Sequence, residues 1–231
     1  MKKKFLICLA ALILFHTNIY ASRFRFILND RLKTVSSEVS DEDSDGIYCD
    51  IKGSWFENSA DRLYGEGIFE GIKIGKYRYF QPNVQITRGE FLLYIETVSN
   101  VTESDGGRVP FEDFPIVPTW QKRIVQKMYN AKVISGAVEG GKLYGNLDEQ
   151  ISRLDAAQII FKALKLPQNT KDLPYSDSYL IPSYAKDAVS SVSECEIMEG
   201  YADGSFRPYV KVTRSMLAEI LCNAKDYALV K

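Results

Sequence analysis

The sequence predicts a mainly α-helical protein made of three helix–loop–helix repeats, joined by short extended segments, and three observations carry that expectation. An aromatic, any residue and Asp recur together: Tyr48-Cys49-Asp50, Phe111-Glu112-Asp113 and Tyr175-Ser176-Asp177. A second aromatic follows at Trp55, Trp120 and Tyr184, and a glycine stands 16 residues after each of these, at Gly71, Gly136 and Gly200. Each glycine then leads to a Thr/Ser-Arg pair: Thr87-Arg88, Ser152-Arg153 and Thr213-Arg214. Repetition at a fixed period marks a chain whose units bury their apolar faces against one another.

Within each unit the apolar positions agree. Between aromatic and glycine, Ala60, Val125 and Val189 correspond, as do Leu63, Met128 and Val192, three residues further on and so on the same face of a short helix. Ile68-Phe69, Val133-Ile134 and Ile197-Met198 follow after a break and are expected to return the chain to the core. After each arginine the apolar residues fall at helical spacing: Phe91, Tyr94, Ile95, Val98; then Ala156, Ile159, Ile160, Ala163; then Leu217, Ile220, Leu221, Ala224. The Thr or Ser before each arginine suits an N-cap. Thr87 with Glu90 forms a capping box, Ser152 with Asp155 a weaker one, and Met216 breaks the pattern in the third copy. Asn100 to Pro110 and Pro167 to Pro174 are polar and carry Gly or Pro, as connecting loops should.

The first 46 residues read differently. Lys2, Lys3 and Lys4 precede an apolar run from Phe5 to Phe15, with Ala21 as a small residue for cleavage, so residues 1–21 are expected to be a signal peptide of an exported protein. Residues 22–46 are polar and acidic and are expected to be a linker. Within them Asp41, Asp43, Asp45 and Gly46 match the start of a calcium loop. The twelfth position, which needs a bidentate Glu, is Lys52, so the acidic-linker reading is preferred. The units then span 47–108, 109–173 and 174–231.

Composition excludes several function classes. A formal net charge of -1 gives no field for nucleic acid. The single histidine, His16, lies in the leader, so the mature chain is expected to lack the commonest general base and metal ligand. No cofactor or metal is expected. Cys49, Cys195 and Cys222 show no metal-ligand spacing and are read as unpaired thiols.

The repeat resembles the S-layer homology domain, whose units run from aromatic-x-Asp and Trp through Gly-Tyr-x-Asp-Gly-x-Phe-x-Pro to Ile-Thr-Arg-Ala-Glu. Gly200-Tyr201-Ala202-Asp203-Gly204-Ser205-Phe206-Arg207-Pro208 and Ile86-Thr87-Arg88-Gly89-Glu90 carry the resemblance, which extends from Tyr48 to about Ala228. The first unit keeps Phe80 and Pro82 but loses the acidic loop residue. The second has Tyr144-Gly145-Asn146 where the proline should be, so its loop is expected to differ in shape. The resemblance implies a pseudo-threefold prism with grooves between units. It also implies binding of secondary cell-wall polysaccharide bearing ketal-linked pyruvate, at the cell wall or surface, with other surface-layer proteins as further partners.

Residue chemistry points the same way. A helix N-terminus offers unpaired N–H groups and a positive dipole end, and Arg88, Arg153 or Arg214 adds a planar fork matched to a carboxylate. Trp55, Trp120 or Tyr184 is positioned to face a sugar ring, and Asp50, Asp113 and Asp177 to accept sugar hydroxyls. Gly71, Gly136 and Gly200 let backbone approach a ligand closely. Recurrence of the arginines favours a binding role for them, whereas the aromatics and glycines are read as mainly structural. Two rivals stand beside this non-catalytic reading: a protein-binding assembly module, and a wall-glycan hydrolase working through paired carboxylates.

Overall fold

The computed structural model describes residues 46–103, 106–169 and 172–230. The leader, the linker as far as residue 45 and the three aspartates of the calcium-loop match lie outside them. The described chain is mainly helical, in the order α1 (Glu57–Gly65), β1 (Ile72–Ile74), β2 (Tyr77–Tyr79), α2 (Arg88–Val98), α3 (Thr119–Asn130), β3 (Ala137–Glu139), β4 (Lys142–Tyr144), α4 (Arg153–Ala163), α5 (Ser183–Glu194) and α6 (Arg214–Val230). Short 3-10 turns at Phe114–Ile116 and Ser178–Leu180 precede α3 and α5. The glycine loops of the first two segments are antiparallel hairpins, pairing Ile72 with Tyr79 and Ala137 with Tyr144. The third is a tight turn in which Tyr201 N–H donates to Ser205 O at 2.7 Å.

The chain divides into two units at Gln81/Pro82, inside the first sequence segment rather than at its end. Residues 46–81 are held by an aromatic cluster. Phe80 is fully buried, and its ring centroid lies 4.9 Å from that of Phe69, 5.2 Å from Tyr48 and 5.5 Å from Phe56. Ala60 and Leu63 of α1 are fully buried, and the Tyr48 hydroxyl donates to Phe69 O at 2.6 Å.

In residues 82–230 every apolar position expected to be internal is buried, including the stripes of α2, α4 and α6. Each large apolar side chain buried in this way contributes roughly 1.5–3 kcal/mol. At the centre three backbone bonds close on themselves. Ile86 N–H donates to Val212 O, Val212 N–H to Ile151 O and Ile151 N–H to Ile86 O, each at 2.9 Å. Ile86, Ile151 and Val212 stand two residues before Arg88, Arg153 and Arg214, so this closure sets where α2, α4 and α6 begin.

Candidate functional site

The N-terminal N–H groups of α2, α4 and α6 are already engaged. Arg88 and Gly89 donate to Glu149 O and Leu147 O, Arg153 and Leu154 to Val210 O and Pro208 O, and Arg214 and Ser215 to Val84 O and Pro82 O, at 2.8–3.1 Å. The next N–H of each helix meets the cap hydroxyl: Glu90 to Thr87 at 3.2 Å, Asp155 to Ser152 at 3.1 Å and Met216 to Thr213 at 3.4 Å. The expectation of bare helix N-termini for an anion is therefore corrected, because neighbouring extended backbone takes up those donors. What remains for a ligand is side-chain chemistry.

The aspartates also meet backbone N–H groups. Phe80 and Gln81 N–H donate to the two oxygens of Asp50 at 2.7 Å each. Gly145 and Leu147 do so to Asp113 at 2.7 and 3.4 Å, and Phe206 and Arg207 to Asp177 at 2.8 and 2.7 Å. Each carboxylate thus clamps the end of its own glycine loop, where Gln81, Asn146 and Arg207 hold φ of 58°, 51° and 56°. Non-glycine residues keep that backbone only when their surroundings over-determine it.

The glycines are seats for the first aromatic. A Cβ on Gly71 would lie 2.4 Å from the Tyr48 ring, on Gly136 2.7 Å from Phe111 and on Gly200 2.5 Å from Tyr175. Their structural reading agrees with this geometry. The second aromatics depart from theirs: Trp55 and Tyr184 are 69% and 72% exposed, and Trp120 is half-buried. None of the three is a core residue.

The arginines differ most. Arg153 is buried, its Nε donating to Phe206 O at 2.8 Å and its Nη2 to Glu199 O at 2.6 Å. Its guanidinium lies 4.7 Å from the Phe206 ring centroid and 5.1 Å from that of Tyr201. Arg214 is buried as well. Arg88 instead lines a cavity of about 560 Å³, together with Ser135, Gly136, Ala137, Gly145, Asn146, Glu149, Gln150, Asp155, Gln158, Lys162, Tyr184 and Lys211. Among the described residues its guanidinium makes one ion pair, to Asp155 at 3.8 Å, and meets no backbone carbonyl. Burial pushes its pKa down, while Asp155 and Glu149 push it back up. An arginine stays protonated through such shifts, so the cavity holds a fixed cation.

The loops explain the contrast. Taken from the aromatic-seating glycine and from the clamped residue, Tyr201 and Phe206 in the third loop correspond to Ala137 and Gly145 in the second. The Tyr201 and Phe206 rings lie against Arg153, whereas the second loop presents only the methyl of Ala137 toward the cavity that Arg88 lines, and the space beside Gly145 is taken by Phe111 and Leu147. Arg88, Lys162 and Lys211 against Glu149 and Asp155 give the lining a formal charge of +1. Gln150, Gln158, Asn146 and Ser135 add neutral donors and acceptors, and Tyr184 an aromatic face. This lining suits a ligand with one negative charge, several hydroxyls and one apolar face. The cavity brings together Arg88, Gly136 and Tyr184 of the expected residues. Sequence reasoning missed Ala137 and Gly145, and laying the second loop over the third would have found both.

Residues 48–92 and 174–215 match the S-layer homology domain. An endoglucanase of Bacillus sp. (strain KSM-635) is 29% identical over 180 residues, 75% of this chain and 18% of that protein. The surface-layer 125 kDa protein of Lysinibacillus sphaericus is 33% identical over 112 residues, 48% of this chain and 9% of that protein. Exoglucanase XynX of Acetivibrio thermocellus is 28% identical over 136 residues, 57% of this chain and 12% of that protein. The chain spans less than a fifth of the length of each of these relatives. Among the described residues no helix is long and apolar enough to cross a membrane, and no group of three or more His, Cys, Asp or Glu gathers as metal ligands would. Cys49, Cys195 and Cys222 are not disulfide-bonded.

Proposed function

We propose that this chain is a non-catalytic cell-wall-binding module of three S-layer homology units, 47–108, 109–173 and 174–231, which holds an acidic, pyruvate-bearing wall glycan in a groove. The closed ring of Ile86, Ile151 and Val212 bonds supports the equivalence of the three helix starts within residues 82–230, since each donates to one neighbour and accepts from the other. The middle unit rests on that equivalence, because the S-layer homology match covers the first and third. An exported, surface-attached location follows from the same reading, with cell-wall polysaccharide as the partner.

The observation that carries the proposal is Arg88. Its guanidinium lines an open cavity while the equivalent Arg153 is consumed by backbone carbonyls. A pyruvate ketal adds one carboxylate to a pyranose, which matches a net lining charge of +1. Arg88 receives the carboxylate in a forked, charge-assisted contact, Tyr184 faces the sugar ring and Gln150 and Gln158 meet hydroxyls. Gly136 borders the groove and serves it by seating the Phe111 ring behind the loop. Trp55 and Trp120 are proposed as sugar-facing aromatics elsewhere on the chain, and Arg214 as a second anion-binding arginine. Asp50, Asp113, Asp177, Gly71, Gly200 and Arg153 serve binding by holding loops in place.

The test is a pull-down of the full chain on purified wall polymer, before and after mild acid removes the pyruvate. Retention that depends on pyruvate and falls with Arg88→Gln supports the reading, and retention indifferent to both sinks it.

A further inference from the structure

The loops that follow Gly71 and Gly136 are both hairpins of three-residue strands, yet their charges are arranged in opposite ways. In the second, Val138 stands opposite Leu143 and Glu139 opposite Lys142, an apolar pair and a pair of opposite sign. In the first, Lys73 stands opposite Arg78, with Lys76 in the turn. Between Gly71 and Phe80 there are three cations and no acidic residue. The tip of the third loop is balanced again, with Arg207 meeting Asp203 at 2.7 Å.

Like charges directly across an antiparallel pair stand about 5 Å apart at Cβ and destabilise it. The surroundings hold these cations without neutralising them. Arg78 donates to the backbone carbonyl of Glu70 and lies 4.6 Å from the Tyr64 ring centroid. Its strand is tied down as well, since Cys49 N–H donates to Arg78 O at 2.9 Å. Lys76 lies 4.9 Å from the Tyr77 ring centroid. Lys73 and Lys76 are exposed, and among the described residues neither forms an ion pair. A local rule broken with no gain to the fold marks a surface kept for a partner.

We infer that the Lys73–Arg78 hairpin is a docking surface for a phosphodiester-linked wall polymer, separate from the Arg88 cavity, to whose lining it contributes no residue. Phosphate fits the opposed pair better than carboxylate does. Its oxygens diverge tetrahedrally, so one group accepts from both an ammonium and a guanidinium, and the next along the chain reaches Lys76. Strand alternation puts Lys73 and Arg78 on one face and the exposed Ile74 with Tyr77 on the other. A flat lipid surface meets only one of those faces, whereas a flexible polymer follows the cations around the turn. A formal net charge of -1 disfavours nucleic acid as the source of the phosphates. The wall as their source rests on the surface location proposed above; the phosphate chemistry does not.

Binding of the full chain to three probes tests this: poly(glycerol phosphate), polygalacturonate as the carboxylate polyanion, and vesicles of phosphatidylglycerol and phosphatidylcholine. Wild type is expected to bind poly(glycerol phosphate) about fivefold tighter than polygalacturonate and to leave the vesicles unbound. Lys73→Glu recreates the opposite-sign pair of the second hairpin. It is expected to lower affinity for the phosphate polymer about tenfold while the melting temperature holds or rises. Lys73→Met/Lys76→Met is expected to lose affinity without adding a negative charge, and Lys73→Arg to retain it. Arg88→Gln is expected to bind this polymer as wild type does.

Equal affinity for the two polymers reduces the hairpin to unselective charge and overturns the inference, as does undiminished binding by both hairpin variants. Retention on vesicles without retention on the polymer makes the hairpin a membrane contact, and loss of polymer binding in Arg88→Gln assigns the polymer to the cavity. Either result overturns the inference. Poly(glycerol phosphate) carries no pyruvate, so failure of the Arg88 reading leaves the hairpin outcomes unchanged.

Discussion

Arg88 and Arg153 follow the same Thr/Ser cap at the first position of a helix, and the protein uses them in opposite ways. Arg153 is clasped by two carbonyls and two rings of the third loop. Arg88 faces a second loop whose residues at the ring positions are Ala137 and Gly145, and it borders a cavity instead. Helix, cap and arginine are common to both, so the difference resides in the loop each one meets. An arginine becomes available for a ligand when its neighbour is too small to satisfy it.

The largest effect is expected where the third loop is emptied. Phe206 is fully buried against Tyr175 and under Arg153, so Phe206→Ala should cost about 3–5 kcal/mol in urea unfolding. A cost below about 1 kcal/mol, the range of ordinary surface substitutions, would mean the ring is not packed between Tyr175 and Arg153 as its burial implies.

Filling the second loop is the converse experiment. Ala137 is exposed, so Ala137→Tyr should fold normally while placing a ring where Tyr201 stands in the third loop. We expect affinity for purified wall polymer to fall at least tenfold, on the order of 1.4 kcal/mol, with the melting temperature nearly unchanged. Undiminished binding would separate the cavity from function.

Salt sharpens the comparison next. Glycan binding through Arg88 should weaken several-fold between roughly 0.05 and 0.5 M NaCl, a partial loss because the pair is only partly solvated. Flat salt dependence would point to binding without the ion pair.

The smallest effect belongs to the tip of the third loop. Asp203 is held well below its ordinary pKa of 3.8, first by the Ser205 hydroxyl and then by Arg207. A carboxyl with a depressed folded pKa contributes stability that is full above its ordinary value and lost as pH falls toward the folded one. Asp203→Asn should therefore lower the melting temperature slightly at neutral pH, and the difference should shrink progressively as pH falls below 3.8. A difference that widened on acidification would contradict the assignment.

Much of the fold was legible in the sequence because helices announce themselves by local chemistry. The Thr87–Glu90 capping box forms in both directions, and the apolar stripes after each arginine are buried as their spacing required. The hairpins at 72–79 and 137–144 were not anticipated, since strands of three residues are too short to leave a period. The site was legible only in part. Recurrence found the arginines, glycines and aspartates, but it weights all copies equally, and function depends on where they differ. Asp50, Asp113 and Asp177 recur because every loop needs its N–H groups held. Gly71, Gly136 and Gly200 recur because each must admit an aromatic ring. Ala137, which stands where the third loop has Tyr201, looks like a loss from the pattern.

The central claim is tested most directly by measuring affinity for pyruvate-bearing wall polymer and melting temperature together, for Arg88→Gln and Arg153→Gln. Arg88→Gln should lower affinity about 10–100-fold, the worth of a charge-assisted contact, with melting unchanged. Arg153→Gln leaves two buried carbonyls unmet and should cost about 2–4 kcal/mol, roughly 5–10 °C, while the folded protein still binds. Equal binding by Arg88→Gln, or loss of binding without destabilisation in Arg153→Gln, would contradict the account.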